Sequence, residues 1–234
     1  GAKKVETSSA SEKKRALRVL CFHGFGQDGA GFRSKTGSFR KDAASFAEFH
    51  FIDAPMTAEH PIIGPGLSWY DSYSRPSSQP TPSESTGDSD PSKSEEYENS
   101  GEPWDRFDET LKMIDNVFET QGPFDGVFGF SQGAGVVLAL SALLERGEAP
   151  PHVRFRFAGL VGGFLPRDPL WRDRCTAQPI SSVRSFHVMG QTDEVIVPQR
   201  SREAAACFAD PLVFEHPKGH MLPNDKVIRH AWRD

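Results

Sequence analysis

Three widely separated positions carry the side chains of an acyl-transfer relay: Ser131 in GFSQG (129–133), Asp193 in VMGQTDEVIVP and His220 in VFEHPKGHMLP. A serine hydroxyl becomes a useful nucleophile only when a positioned base takes its proton, and that base needs an acid to hold its tautomer. G-x-S-x-G between a strand and a helix is the sequence form of a sharp turn that exposes the serine, and the chain order Ser, Asp, His accompanies it. Gly129 and Gly133 would permit the turn, because side chains there would collide. A blander reading makes Ser131 a helix cap on a Gly-rich connection; the acid and base in strand-end contexts are what favour chemistry.

Each partner has rivals. Glu194 adjoins Asp193, but the approach from Gly190 favours Asp193. Among the histidines, His23, His50 and His60 precede the serine and His152 sits in a Pro-rich link. His187 lies inside a strand, His216 ends one, and His230 falls in a terminal helix. His220 alone follows the last strand in a Gly-containing loop.

A second motif, GFGQDG at residues 24–29, has two readings. After a strand and before a helix, G-x-G-x-x-G is the form of a dinucleotide-binding turn, and Asp53 ends the next strand about where a ribose-binding acid would stand. His23 and Phe25 crowd such a turn, however, and the reading leaves Ser131, Asp193 and His220 unexplained. In an acyl-transfer enzyme an early loop lends one backbone N–H to the developing oxyanion and the residue after the nucleophile lends another. Those donors would be the backbones of Phe25 and Gln132, with Asp53 a structural acid.

The elements that must position these groups follow a βα alternation. Residues 16–22 read as a buried strand, HFIDAP as a short second strand, GPFDGVFGF as a third, and VRFRFAGLVGGF, SFHVMG and PLVFEH as three more. A helix is expected from Pro103 to Gly122, with Trp104, Phe107, Leu111, Ile114 and Phe118 on one face, and another over SQGAGVVLALSALLERG. The pattern predicts an α/β fold with a mainly parallel sheet and helices on both faces.

Residues 1–15 read as a flexible tail and 16–234 as one domain, with 72–102 a disordered or lid-like insertion rich in Ser, Pro and acids. Seven acids stand against one lysine between 84 and 102, which accounts for the net charge of −5 over 234 residues. The remainder is near neutral and lacks the basic surface a nucleic-acid partner requires. No apolar run is long enough to span a membrane. Three scattered cysteines form neither a disulfide framework nor a zinc motif, which points to a reducing compartment, the cytoplasm or also the nucleus. Oligomeric state is not encoded in any feature of the sequence.

The run LCFHGFGQDG, SKTGSFRK, FIDAP, SWY, GPFDGVFGFSQGA, GQTDEVIVP and HPKGHMLP, in that order from about Arg15, resembles the FSH group (family of serine hydrolases) of α/β-hydrolases. GFSQG alone would equally suit an acyl-protein thioesterase; SKTGSFRK, GPFDG and HPKGHMLP favour the FSH group. The resemblance implies carboxylic-ester hydrolysis by Ser131, Asp193 and His220 without metal or organic cofactor, on small-molecule esters that often carry a hydrocarbon chain. Trp69, Tyr70, Phe130, Leu165 and Met221, with Phe25, are candidates for an apolar acyl pocket, each with core packing as its alternative; GPGLSWYDSY would be a loop folding over the site. Acyl or acyl-protein thioester cleavage and a non-catalytic binding role on the same fold are the competing functions.

Overall fold

A computed structural model describes residues 15–60, 64–71 and 104–223. Residues 1–14 of the expected tail, the 72–102 insertion and the terminal helix carrying His230 lie outside the described residues; Arg15, the last residue assigned to the tail, pairs with Asp125 at 2.7 Å. Six strands, β1 (Leu17–Phe22), β2 (Ala47–Ile52), β5 (Gly126–Phe130), β6 (Phe157–Val161), β7 (Arg184–Gly190) and β8 (Pro211–His216), form one sheet in the order β2-β1-β5-β6-β7-β8. All five pairings in it are parallel. Parallel strands need crossovers, and helices supply them: α1 (Gly29–Lys35) with α2 (Gly37–Ala43), α3 (Phe107–Gln121), α4 (Gln132–Arg146), α5 (Pro169–Thr176) and α6 (Pro198–Ala205).

Successive side chains on a strand point to opposite faces, and the sequence fills both with apolar groups. Leu20, Phe22, Val127, Ala158 and Leu160 join one core with α3 and α4. Val19, Cys21, Phe128, Phe130, Val161 and Val188 join the other with Phe32, Phe39 and Ala43 of α1 and α2. Helix α4 is buried along nearly its whole length, which explains its Ala, Leu and Val composition.

Two features depart from the sequence expectation. Helix α3 begins at Phe107 rather than Pro103, because Arg106 adopts φ +60° and Trp104 is drawn into an aromatic stack. The Trp104 ring lies 4.2 Å from Tyr70 and 5.6 Å from Trp171. Thr110 and Val117 accompany Phe107, Ile114 and Phe118 in the buried face, while Leu111 is only partly covered. The second departure is an antiparallel hairpin, β3 (Met56–His60) with β4 (Gly64–Ser68), in place of a loop leading to Trp69. Leu67 bridges back to Gln27, so the hairpin is seated on the turn that follows β1.

Candidate functional site

The parallel sheet gathers its strand ends on one edge, and the turn from β5 into α4 places Ser131 there. Ser131 has φ +54° and ψ −118°, a conformation that costs a non-glycine residue on the order of 1–3 kcal/mol and persists only where its surroundings enforce it. They do: the Ser131 N–H donates to the Val161 carbonyl at 2.9 Å, and the Ser131 carbonyl accepts from Ala134 and Gly135. The flanking glycines are sterically obligatory. A Cβ on Gly129 would stand 2.3 Å from the Gly133 oxygen, and one on Gly133 would stand 2.3 Å from the Phe22 oxygen.

Two loops bring the other groups. Asp193 follows β7, where its Oδ1 accepts from the N–H groups of Val195 at 3.0 Å and Ile196 at 2.8 Å. Its Oδ2 faces His220 Nδ1 at 2.7 Å, and His220 Nε2 lies 2.9 Å from Ser131 Oγ. Asp193 is buried whereas Glu194 is exposed, so the environment distinguishes the two acids. With Nδ1–H donated to the carboxylate, Nε2 presents a lone pair to the serine hydroxyl; this arrangement can carry a proton from Oγ and stabilise the imidazolium that results.

The loop bearing His220 is nested on the end of β7. A Cβ on Gly190 would meet the Lys218 oxygen at 2.3 Å, and the Thr192 hydroxyl donates to the Pro217 carbonyl. Gly162, just past β6, was not anticipated as a site residue. It has φ +56°, and a Cβ there would stand 3.1 Å from His220 Cε1 and 3.9 Å from Asp193 Oδ2. The Gly-Gly after the strand in LVGGF was its only signal.

The turn after β1 is held by hydrogen bonds within the protein. The N–H of Gly26 donates to the Leu67 carbonyl, that of Gly29 to Asp53 Oδ1 at 2.7 Å, and that of Gly31 to Asp28 Oδ1 at 2.6 Å. The Gly26 and Gly29 amides and the Asp53 carboxylate of the dinucleotide reading are thus engaged within the protein. The turn abuts the nucleophile instead: a Cβ on Gly24 would lie 3.0 Å from the Phe130 ring and 3.4 Å from Ser131 Cβ. Phe25 follows directly in this turn. Gln132 opens α4, so its N–H is one of the first-turn donors that no intrahelical carbonyl can accept.

The candidate pocket residues separate into two groups. Phe130 packs its ring 4.9 Å from the His220 imidazole, Met221 is partly exposed beside His220, and Leu165 follows the Gly162–Gly163 turn with a small exposed edge. Trp69 and Tyr70 are at 0% and 1% relative exposure and belong to the main core. Trp69 packs against Phe22 and His23, and Tyr70 stacks on Trp104. The expected loop over the site is therefore corrected to a core segment anchored by aromatic packing.

Residues 11–232 match the family described as serine hydrolase (FSH1). Esterase OVCA2 of Homo sapiens is 34% identical over 222 residues, covering 94% of this chain and 95% of the relative. Esterase CG5412 of Drosophila melanogaster is 34% identical over 230 residues, with 93% and 75% covered. Among solved structures, Zea mays acyl-protein thioesterase 2 superposes with a TM-score of 0.58 at 16% identity over 94% of this chain and 92% of that one, which shows the α/β-hydrolase fold.

Proposed function

The chain belongs to the serine hydrolase (FSH1) family and is a carboxylic ester hydrolase, and from that premise we propose that Ser131, His220 and Asp193 carry its reaction. The observation that supports this is the continuous hydrogen-bonded relay through one imidazole, 2.9 Å to the serine oxygen and 2.7 Å to the carboxylate.

Ser131 Oγ attacks the ester carbonyl carbon as its proton passes to His220 Nε2, and the carbonyl π electrons become an oxyanion. The N–H groups of Phe25 and Gln132 receive that oxyanion, aided by the positive end of α4. Collapse of the tetrahedral species breaks the bond to the leaving oxygen, which takes the proton from His220 and departs as an alcohol. Water then attacks the acyl-serine with His220 again as base, the acid is released and Ser131 regains its proton. Side chains and water balance every step.

Phe130, Leu165 and Met221 are the apolar groups we assign to the acyl side, which favours aliphatic or aromatic acyl groups over charged ones. The three cysteines, free and buried, accord with a reducing compartment such as the cytoplasm or nucleus; recovery of the chain from the secretory pathway would contradict that placement. The test of the reaction is hydrolysis of p-nitrophenyl esters from acetyl to long acyl chains by wild type and Ser131→Ala. Serine-dependent turnover with a preferred chain length supports the proposal, and turnover retained in Ser131→Ala removes the nucleophile. Matching thioesters in the same series decide between ester and thioester preference.

A further inference from the structure

We infer that Trp69 is a positioning residue that ties together the two backbone donors of the oxyanion site, an inference that rests on the esterase reading above. Trp69 reaches both arms at once. Its indole Nε1–H donates to the His23 carbonyl at 2.7 Å, and its backbone N–H donates to Gln132 Oε1 at 3.0 Å.

On the first arm the geometry passes through two peptide planes. The His23 carbonyl belongs to the His23–Gly24 peptide, so the indole bond sets that plane. The imidazole of His23 accepts the Ala54 N–H on Nε2 at 3.1 Å, which leaves its proton on Nδ1 to donate to the Gly24 carbonyl at 2.8 Å. A trans peptide is planar with C=O and N–H opposed, so fixing the Gly24 carbonyl fixes the direction of the Phe25 N–H. The Trp69 ring, 4.8 Å from the His23 ring, holds that imidazole in place. Burial lowers the imidazole's affinity for a second proton, which preserves the tautomer.

On the second arm the Gln132 side chain is buried, and its amide also donates to Ser68 Oγ at 2.9 Å and the Tyr70 carbonyl at 3.2 Å. The residue whose N–H opens α4 is thereby bound by its side chain to the segment 68–70. The Trp69 carbonyl accepts from Thr110 of α3, which anchors the strut to the main core. An oxyanion site gains its effect from donors that need no reorganisation, and a fully buried residue bonded to the first arm through its indole and to the second through its backbone N–H supplies that rigidity.

The test is Trp69→Phe, which keeps a buried ring and removes the indole donor, assayed on the preferred p-nitrophenyl ester beside wild type and Ser131→Ala. Transition-state stabilisation is read independently from the Kd of an alkylboronic acid, whose tetrahedral serine adduct places an oxygen where the oxyanion forms. The expected result is a fall in kcat of about tenfold with KM within about twofold, and a matching loss of boronate affinity. If Trp69→Phe does not fold, Gln132→Met breaks the second arm and is expected to give the same paired loss. Wild-type kcat and boronate affinity in the folded variant overturn the inference, as does a loss of kcat with boronate affinity intact. Serine-dependent wild-type turnover with an unaffected Trp69→Phe sinks this inference alone. Absence of Ser131-dependent turnover removes the esterase mechanism and this inference with it.

Discussion

Gly162 stands against His220 so closely that a methyl group on its Cα would lie 3.1 Å from the imidazole Cε1, in a backbone conformation of φ +56° that favours glycine. Gly162→Ala therefore meets two costs. The positive φ destabilises the fold by roughly 1 kcal/mol, and the methyl group displaces the imidazole from its line between Asp193 and Ser131. We expect kcat to fall about tenfold or more for a shift of a few tenths of an ångström at the proton-transfer centre. Urea denaturation and ester kinetics on the same preparation separate the two effects, and unchanged kcat would show that the loop accommodates the methyl group.

The acid is distinguished by its bonds. Asp193 takes two backbone N–H groups on one oxygen and His220 on the other, whereas Glu194 is exposed. Ser131→Ala and His220→Ala are each expected to cost about a thousandfold or more in kcat while leaving the fold intact. Asp193→Asn should cost a comparable or smaller factor, and Glu194→Gln less than about twofold. A crippled Glu194→Gln with active Asp193→Asn would transfer the acid role.

The mainly parallel sheet was legible in the sequence, and so were the residues proposed for the relay, because their signals are local and chemical. Apolar runs bounded by Gly or Pro marked the six parallel strands, the second a few residues late at HFIDAP against Ala47–Ile52, and Ser131, Asp193 and His220 each sit at a strand end in a turn context. The sequence leaves Trp69 open between a pocket wall and core packing, because an aromatic residue after Gly-Pro-Gly looks like a loop. Its burial depends on Thr110, His23 and Gln132, partners 41, 46 and 63 residues away. The start of α3 is hidden for a similar reason: Trp104 fits the helical spacing of Phe107, Leu111 and Ile114, but stacking on Tyr70 and Trp171 outweighs one more turn of helix. Gly162 left almost no trace, since a glycine after a strand is common and only the folded imidazole gives it meaning.

Glycines in the chain divide sharply by what a side chain would meet. At Gly133 a Cβ would stand 2.3 Å from the Phe22 oxygen and 2.6 Å from the His23 oxygen, both rigid backbone atoms. Gly133→Ala must therefore push α4 off the turn after β1, at an expected cost of about 3 kcal/mol, with esterase activity largely lost. Gly37 opens α2 with nothing within 4 Å of the added atom, so Gly37→Ala should stabilise by about 0.5 kcal/mol through helix propensity. Thermal melts of the two variants check the contrast; equal shifts would mean that the close approach at Gly133 is readily relieved.

His187 gives the fold an acid-sensitive element away from the relay. It points from β7 into the core beside Phe208, with Nε2 3.1 Å from Ser185 Oγ, and burial pushes its pKa from 6.5 down to about 3. The unfolded chain takes up this proton as pH drops through about 6.5, whereas the folded chain resists until about pH 3, so acid favours unfolding across that window. Stability contributed by the neutral imidazole is complete above the unfolded pKa and declines by up to about 1.4 kcal/mol per pH unit below it. His187→Leu removes the titration, and its loss of stability between pH 7.5 and 5 should be smaller than that of wild type by about 2 kcal/mol. Urea denaturation at the two pH values for both proteins provides the measurement, the difference between them removing every other titrating group. Parallel pH dependence in wild type and variant would mean that His187 is protonated in the folded state and that the core around β7 admits the charge.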